Sequence, residues 1–141
     1  MSRFVVDASV VLAWCFPDEG ALLAQRVGDM FKYGDTAIAP SFWPHEVLNA
    51  LLAGERRRRI SAALTKTFLN DLALLPIELE QSPATTVFDR IQSLSRDHGL
   101  TAYDAAYLDL SLDSGLPLAT LDEDLCRACR KAGAGLVQNN G

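Results

Sequence analysis

Short apolar runs alternate along the chain with longer segments in which apolar residues return every three or four positions. Arg3 to Val6 is continuous, β-branched and aromatic, the pattern of a fully buried strand. Thr36 to Ala39 (stopped by Pro40), Pro76 to Leu79 and Pro117 to Thr120 repeat it, and Gly135 to Val137 offers a fifth. Helical patterns fill the intervals. Ser9 is placed to cap a helix through Val10 to Phe16, and Pro17-Asp18-Glu19 restarts one to about Tyr33, with Gly34 as its C′ residue. Leu22, Leu23, Val27, Met30 and Phe31 share one face of that helix. Ser41 or Pro44 opens a helix through Glu46, Leu48, Leu51 and Leu52 towards an arginine run. Ser61 caps the next, which carries Leu64, Phe68, Leu72 and Leu75. Ser82 as N-cap with Pro83 at N1 starts a helix that ends at Gly99. Thr101 begins another that ends near Ser114-Gly115, and Asp122 to Ala132 is the last.

Strands alternating with helices predict an α/β fold, with a mainly parallel central sheet of four to five short strands flanked by helices on both faces. There is no repeat, low-complexity segment or Gly/Pro/Ser linker, so residues 1–141 read as a single domain. That length buries a core without disulfide or metal staples. A hydrophobic fraction of 49% and a charged fraction of 22% are those of an ordinary soluble globular protein. No secretory signal is visible, and no apolar stretch approaches the ~20 residues of a membrane span. Three cysteines give no disulfide framework and fit a cytoplasmic location. A net charge of −5 excludes a generic nucleic-acid coat, though not an enzyme whose acidic site is offset by bound cations.

The candidate chemistry lies in four acids placed where apolar stretches end or helical ones open: Asp7, Glu46, Asp104 and Asp122. In open parallel sheets, ligands bind beyond the carboxyl ends of the strands. Asp7 follows the first strand, Glu46 comes shortly after the second, and Asp122 follows the Leu118 strand. Three of the four should therefore reach one edge, while Asp104 depends on how its helix packs. Each has a bland reading: Asp7 as a turn cap, Glu46 as a solvated early-helix acid, Asp104 in a capping box with Thr101, Asp122 as an N-cap. Those readings do not require the acids to share an edge. If they converge, each pair at ~4 Å and an effective dielectric of ~20 costs about 4 kcal/mol, which a divalent cation relieves. Carboxylates without cysteine or clustered histidine select hard ions such as Mg²⁺ or Mn²⁺.

Four segments, in order, resemble a PIN domain: Phe4-Val5-Val6-Asp7-Ala8-Ser9, Pro44-His45-Glu46-Val47-Leu48-Asn49-Ala50-Leu51, Leu100-Thr101-Ala102-Tyr103-Asp104-Ala105-Ala106-Tyr107-Leu108, and Ala119-Thr120-Leu121-Asp122. The likeness runs from residue 4 to about residue 137 and is nearest to the VapC-type ribonuclease toxins of toxin–antitoxin pairs. It implies a PIN-like α/β fold and an Mg²⁺ or Mn²⁺ pocket formed by Asp7, Glu46, Asp104 and Asp122, with Asp124 a candidate fifth acid. It also implies supporting hydroxyls at Ser9 and Thr120, and cleavage of RNA such as tRNA or rRNA. The partners it implies are a cognate VapB-type antitoxin and a second copy of the chain, in a homodimer and a heterotetramer or larger assembly. Asp7, Asp104 and Asp122 would then be direct or water-mediated ligands. Glu46 would complete the shell or help deprotonate the attacking water.

Several further residues carry two readings. Asn49, one turn after Glu46, either orients it or touches substrate, or is simply a satisfied polar residue at the core edge. Arg56, Arg57, Arg58 and Arg59 either complement a helix C-terminus or meet RNA phosphates. They encircle the helix, so not all can face one ligand. Cys126 and Cys129 are spaced as C-x-x-C but lie within a helix and read as buried small hydrophobes. His45-Glu46 lacks the second histidine of H-E-x-x-H, and Trp14 and Trp43 read as core or dimer aromatics. A phosphatase using Asp7 as nucleophile would want a second aspartate where Ser9 stands. A non-catalytic module that docks a basic segment in the acidic pocket is the competing class.

Overall fold

In the computed structural model, which describes residues 2–16 and 20–138, the continuous apolar runs pair as parallel strands. These are β1 (Arg3–Val6), β2 (Thr36–Pro40), β3 (Ile77–Glu80) and β4 (Leu118–Ala119), in spatial order β3-β2-β1-β4. Phe4, Val5 and Val6 are fully buried, as expected of a strand covered on both faces. β3 is displaced by one residue from its predicted span, and β4 has only two residues. The expected fifth strand is reduced to a bridge between Leu136 and Leu118. So short a β4 leaves one pairing position, closed by Leu118 N–H to the Gly135 carbonyl and Val137 N–H to that of Leu118, both 2.9 Å.

The helices are α1 (Ala8–Leu12), α2 (Ala21–Lys32), α3 (Trp43–Arg56) and α4 (Ala62–Leu72), followed by α5 (Ala84–Thr86), α6 (Gln92–His98), α7 (Ala102–Ser114) and α8 (Glu123–Ala132). Asp7, in extended backbone, occupies the N-cap position expected for Ser9, and regular helix ends at Leu12. Helical turns continue to Phe16, whose N–H bonds the Leu12 carbonyl at 2.9 Å. The predicted restart at Pro17-Asp18-Glu19 lies outside the described residues; α2 is taken up at Ala21. Pro83, with ψ 152°, holds the N-cap position predicted for Ser82. Ser61 and Thr101 cap α4 and α7 as expected, their hydroxyls accepting the N–H of Leu64 and Asp104. Among the described residues no helix is long and apolar enough to cross a membrane.

Strand order decides where a site can form. The chain steps from β1 to β2 to β3 in one direction, then returns to place β4 on the other side of β1. Right-handed crossovers then put α1–α4 on one face and the later helices on the opposite face. The reversal at β1 and β4 opens a crevice at their carboxyl ends. α7 packs across β1, β2 and β4, bringing its first turn to that crevice.

α7 is itself pinned from behind. A π-helical turn, Val87–Ile91, joins α5 to α6 and carries Arg90. Arg90 Nε and Nη2 donate to Asp109 Oδ1 and Oδ2 of α7 at 2.9 and 3.0 Å, and Asp109 is only 6% exposed. Removing one partner of such a pair strands a buried charge. Arg90→Ala is expected to destabilise the fold, by less than breaking a fully buried pair because Arg90 is half-exposed. Urea unfolding should show a lower midpoint at unchanged slope; an unchanged midpoint would remove the pair from the anchoring of α7.

Candidate functional site

Asp7 ends β1 at the crevice and is 7% exposed. Its Oδ2 accepts two hydroxyl hydrogen bonds, from Ser9 Oγ at 2.7 Å and Thr120 Oγ1 at 2.6 Å. Both hydroxyls also accept from the loop after β4: Leu121 N–H reaches Ser9 at 3.0 Å, and Asp122 N–H reaches Thr120 at 3.1 Å. The carboxylate and that loop are thereby fixed to each other. Asp122 caps α8 through Oδ1 to Leu125 N–H at 3.0 Å, so the capping role and a place in the crevice coexist.

Glu46 stands in the first turn of α3, where the helix dipole favours an acid. Its Oε1 accepts the Tyr107 hydroxyl at 2.5 Å, across from α7. Tyr107 is fully buried, and burial followed by the charge of Asp7 pushes its hydroxyl pKa up, so it stays a donor. Asp104 lies one turn before Tyr107 on α7. All four acids line one cleft of about 610 Å³, together with Ser9, Leu12, Phe16, Leu121 and Arg59. Asp104, whose placement the sequence left to packing, is therefore brought in with the others.

Charge accumulates in this cleft. Burial raises the pKa of Asp7, and the charge of Asp122 adds to the effect. Burial raises that of Glu46, with Asp7 and Asp104 contributing, against the lowering effect of the Tyr107 hydrogen bond. Asp104 is pushed up to about 6, first by burial and then by the charges of Asp122 and Asp7.

Residues 4–131 match the PIN domain family. The chain belongs to that family. It is 30% identical over 123 residues to ribonuclease VapC3 of Pyrobaculum aerophilum, covering 87% of this chain and 92% of that protein. The fold also matches the crystal structure of PAE2754 from Pyrobaculum aerophilum, with a TM-score of 0.72 at 23% identity over 99% of this chain and 90% of the other. FitAcB from Neisseria gonorrhoeae superposes with a TM-score of 0.62 at 16% identity over 99% and 98%.

Within this PIN domain the oxygen-only donor set fits a hard cation in kind. Among the described residues, no three His, Cys, Asp or Glu side chains stand close enough to hold an ion directly. Asp124 does not line the cleft; it pairs with Arg127 at 2.6 Å, and its charge is the last contributor at Asp104. Asn49 is exposed and lines a neighbouring groove that shares Glu46 with the cleft. Of the arginine run, Arg59 alone lines the cleft. Cys129 is buried, its thiol pushed up to about 11 by burial, which leaves an inert small hydrophobe. Trp43 is buried in the core, and Trp14 packs partly buried against it, its indole N–H bonding the Ala24 carbonyl at 2.8 Å. Tyr107 was not singled out from the sequence. The one available signal is its position a turn after Asp104 on an apolar helix.

A carboxyl raised on folding makes the folded state bind its proton more tightly. The resulting stability is complete below the ordinary value of 3.8 and is lost as pH rises through about 6. In EDTA, the melting temperature of the wild type relative to Asp104→Asn should therefore decline as pH rises from about 4 to about 7. A difference that stays flat over that window would mean Asp104 is not in a repelling, desolvated site.

Proposed function

We propose that this PIN domain is a metal-dependent endoribonuclease and the toxin component of a toxin–antitoxin pair. One observation carries the reading: four family acids, Asp7, Glu46, Asp104 and Asp122, line a single cleft in a chain 30% identical to ribonuclease VapC3. The substrate class we infer is folded or looped RNA such as tRNA or rRNA, cut by in-line attack of water on phosphorus to leave 5′-phosphate and 3′-hydroxyl ends. Asp7, Asp104 and Asp122 would hold Mg²⁺ or Mn²⁺, directly or through water. When bound, the ion supplies a lowered water pKa, orientation of the phosphate and neutralisation of the leaving oxygen. Burial raises the pKa of Asp7, and the hydroxyls of Ser9 and Thr120 oppose that rise by hydrogen-bonding its charged form. Glu46, oriented by Tyr107 and with its pKa raised by burial, suits acceptance of a proton from the attacking water.

The partner we infer is a VapB-type antitoxin. Beside the cleft, and sharing Glu46 with it, a groove of about 690 Å³ is lined by Phe42, Leu48, Leu52 and Tyr103. Tyr103 is 60% exposed and Leu48 and Leu52 are each 39% exposed, a surface that suits the apolar face of a helix. Exposed Leu22 on α2 and Leu64 on α4 leave further apolar surface for a second copy, in a homodimer and then a heterotetramer or larger assembly. Three free cysteines suit a reducing cytoplasm.

The test is cleavage of a tRNA and structured-RNA panel with Mn²⁺, Mg²⁺ or EDTA, beside identically purified Asp7→Asn. Metal-dependent cutting that falls by a factor of a hundred or more in the variant is expected. Wild-type cutting by Asp7→Asn would remove its proposed role. No cutting by the folded wild type on the whole panel would favour the docking-module reading.

A further inference from the structure

We propose that a small pocket beside the acid cleft holds one unstacked guanine of the RNA strand, with the Glu80 carboxylate as its reader. That role rests on the ribonuclease reading and adds a base preference to it.

The pocket, of about 160 Å³, lies where β2 and β3 end, on the carboxyl edge of the sheet that also carries Asp7. Pro40 and Glu80 are register partners on those strands, and both line it. Val87 and Ile91 of the π-helical turn supply an apolar wall. Ala102 and Ala106 of α7 leave space that larger side chains would fill. The volume falls well below the ~300 Å³ at which sites for drug-sized ligands begin, so it suits one planar ring system.

Phe42 and Tyr103 stand between this pocket and the groove that shares Glu46 with the cleft, lining both spaces. Their rings meet edge-on at 5.0 Å and 79°, and Phe42 meets Tyr107 in the same way at 5.8 Å and 89°. Tyr107 holds Glu46, so one aromatic ring fixes the pocket relative to the acids. Tyr103 is 60% exposed and directly precedes Asp104 in the first turn of α7. An exposed aromatic beside the cleft offers a base a stacking surface, and sequence-specific recognition of RNA takes splayed-out bases in this way.

The polar groups select the base. Glu80 is partly buried. Among the described residues its carboxylate makes no hydrogen bond or ion pair, and neither do the hydroxyls of Ser41 and Ser82 in the same pocket. An ionised carboxylate only accepts. Guanine alone among the RNA bases sets two donors side by side on its Watson–Crick edge, N1–H and the exocyclic amino group, which match two carboxylate oxygens. Adenine and cytosine place an acceptor nitrogen beside their single amino donor, and uracil flanks its N–H with two carbonyls. Each of those would set an acceptor against Glu80. The serine hydroxyls can donate to the O6 and N7 acceptors of guanine. Charge on an edge strand also deters strand pairing, a role that exposed Glu78 fills from outside the pocket.

The experiment uses single-stranded RNAs that differ only in one central base: guanine, inosine, adenine or uracil. Their binding is measured in EDTA, and Mn²⁺-dependent cut positions are mapped on a mixed-sequence RNA. Wild type is compared with Glu80→Gln, with Ala106→Leu to fill the pocket, and with Glu78→Gln as the equal-charge control. Wild type should bind the guanine RNA roughly tenfold more tightly than the adenine or uracil RNA. Inosine, which lacks the amino group, should fall between, and cuts should keep a constant offset from a guanine. Glu80→Gln should lose the preference and the offset at an unchanged melting temperature. Ala106→Leu should lose them too, and Glu78→Gln should keep both. Equal affinity of wild type for all these RNAs, or a preference that survives Glu80→Gln, would overturn the guanine pocket while leaving the nuclease intact. GMP bound as tightly as the guanine RNA, with cut positions indifferent to Glu80→Gln, would also overturn it, making the pocket a site for a free nucleotide. A wild type that neither cuts nor binds RNA would fail the ribonuclease reading itself, and the guanine pocket with it.

Discussion

A buried carboxylate has to be compensated, and the compensation of Asp7 organises this site. Two hydroxyls, one from the first turn of α1 and one from the end of β4, donate to the same oxygen, and each accepts a backbone N–H from the loop after β4. Two of these four hydrogen bonds, Thr120 to Asp7 and Leu121 N–H to Ser9, join the ends of β1 and β4, the two neighbours between which the strand order reverses. With the Asp7 N–H bond to the Ala119 carbonyl at 2.9 Å, they hold Asp122 at a fixed place beside Asp7. A hydroxyl suits this task better than a cation would. It stabilises the charged form without cancelling the negative potential that the cleft needs.

That potential is kept rather than neutralised. Asp109, the other notable buried acid, is satisfied by a bidentate arginine and serves to pin a helix. The cleft acids receive hydroxyl and backbone partners instead, and Asp104 is pushed up to about 6. One fold therefore uses the same residue type for two ends. Where charge is paired the carboxylate anchors, and where charge is left in mutual repulsion the cleft keeps a negative potential. Glu46 lies between these cases, restrained by a neutral tyrosine that orients it without removing its charge.

Much of this was legible in the chain. Four apolar runs gave the strands because a parallel sheet buried on both faces needs uninterrupted hydrophobicity. The acids following those runs announced their edge because strand polarity sends every carboxyl end the same way. What escaped depends on contacts distant in sequence. Tyr107 reaches Glu46 across 61 positions, and no local pattern signals that pair. The seat of Arg59 over Phe16 depends on how the end of α3 turns, and Arg58 in the left-handed position hides the glycine-like signal that would have marked it. The shift of the α1 cap from Ser9 to Asp7 has a similar origin. Ser9 is engaged by Leu121, and that long-range bond outweighs local capping preference. The π-helical turn at Val87–Ile91 carries the Arg90 that meets Asp109 from 19 positions away, a pairing that local propensity does not see.

The central claim is that four converging carboxylates form a site for a divalent cation. Calorimetric titration of Mn²⁺ into metal-free protein at about pH 6, in buffers of different ionisation enthalpy, tests it most directly. Saturable binding with release of part of a proton is expected, because Asp104 is pushed up to about 6. Both the binding and the release should be lost in Asp104→Asn. Absence of saturable binding, or equal binding by wild type and Asp104→Asn, would contradict it.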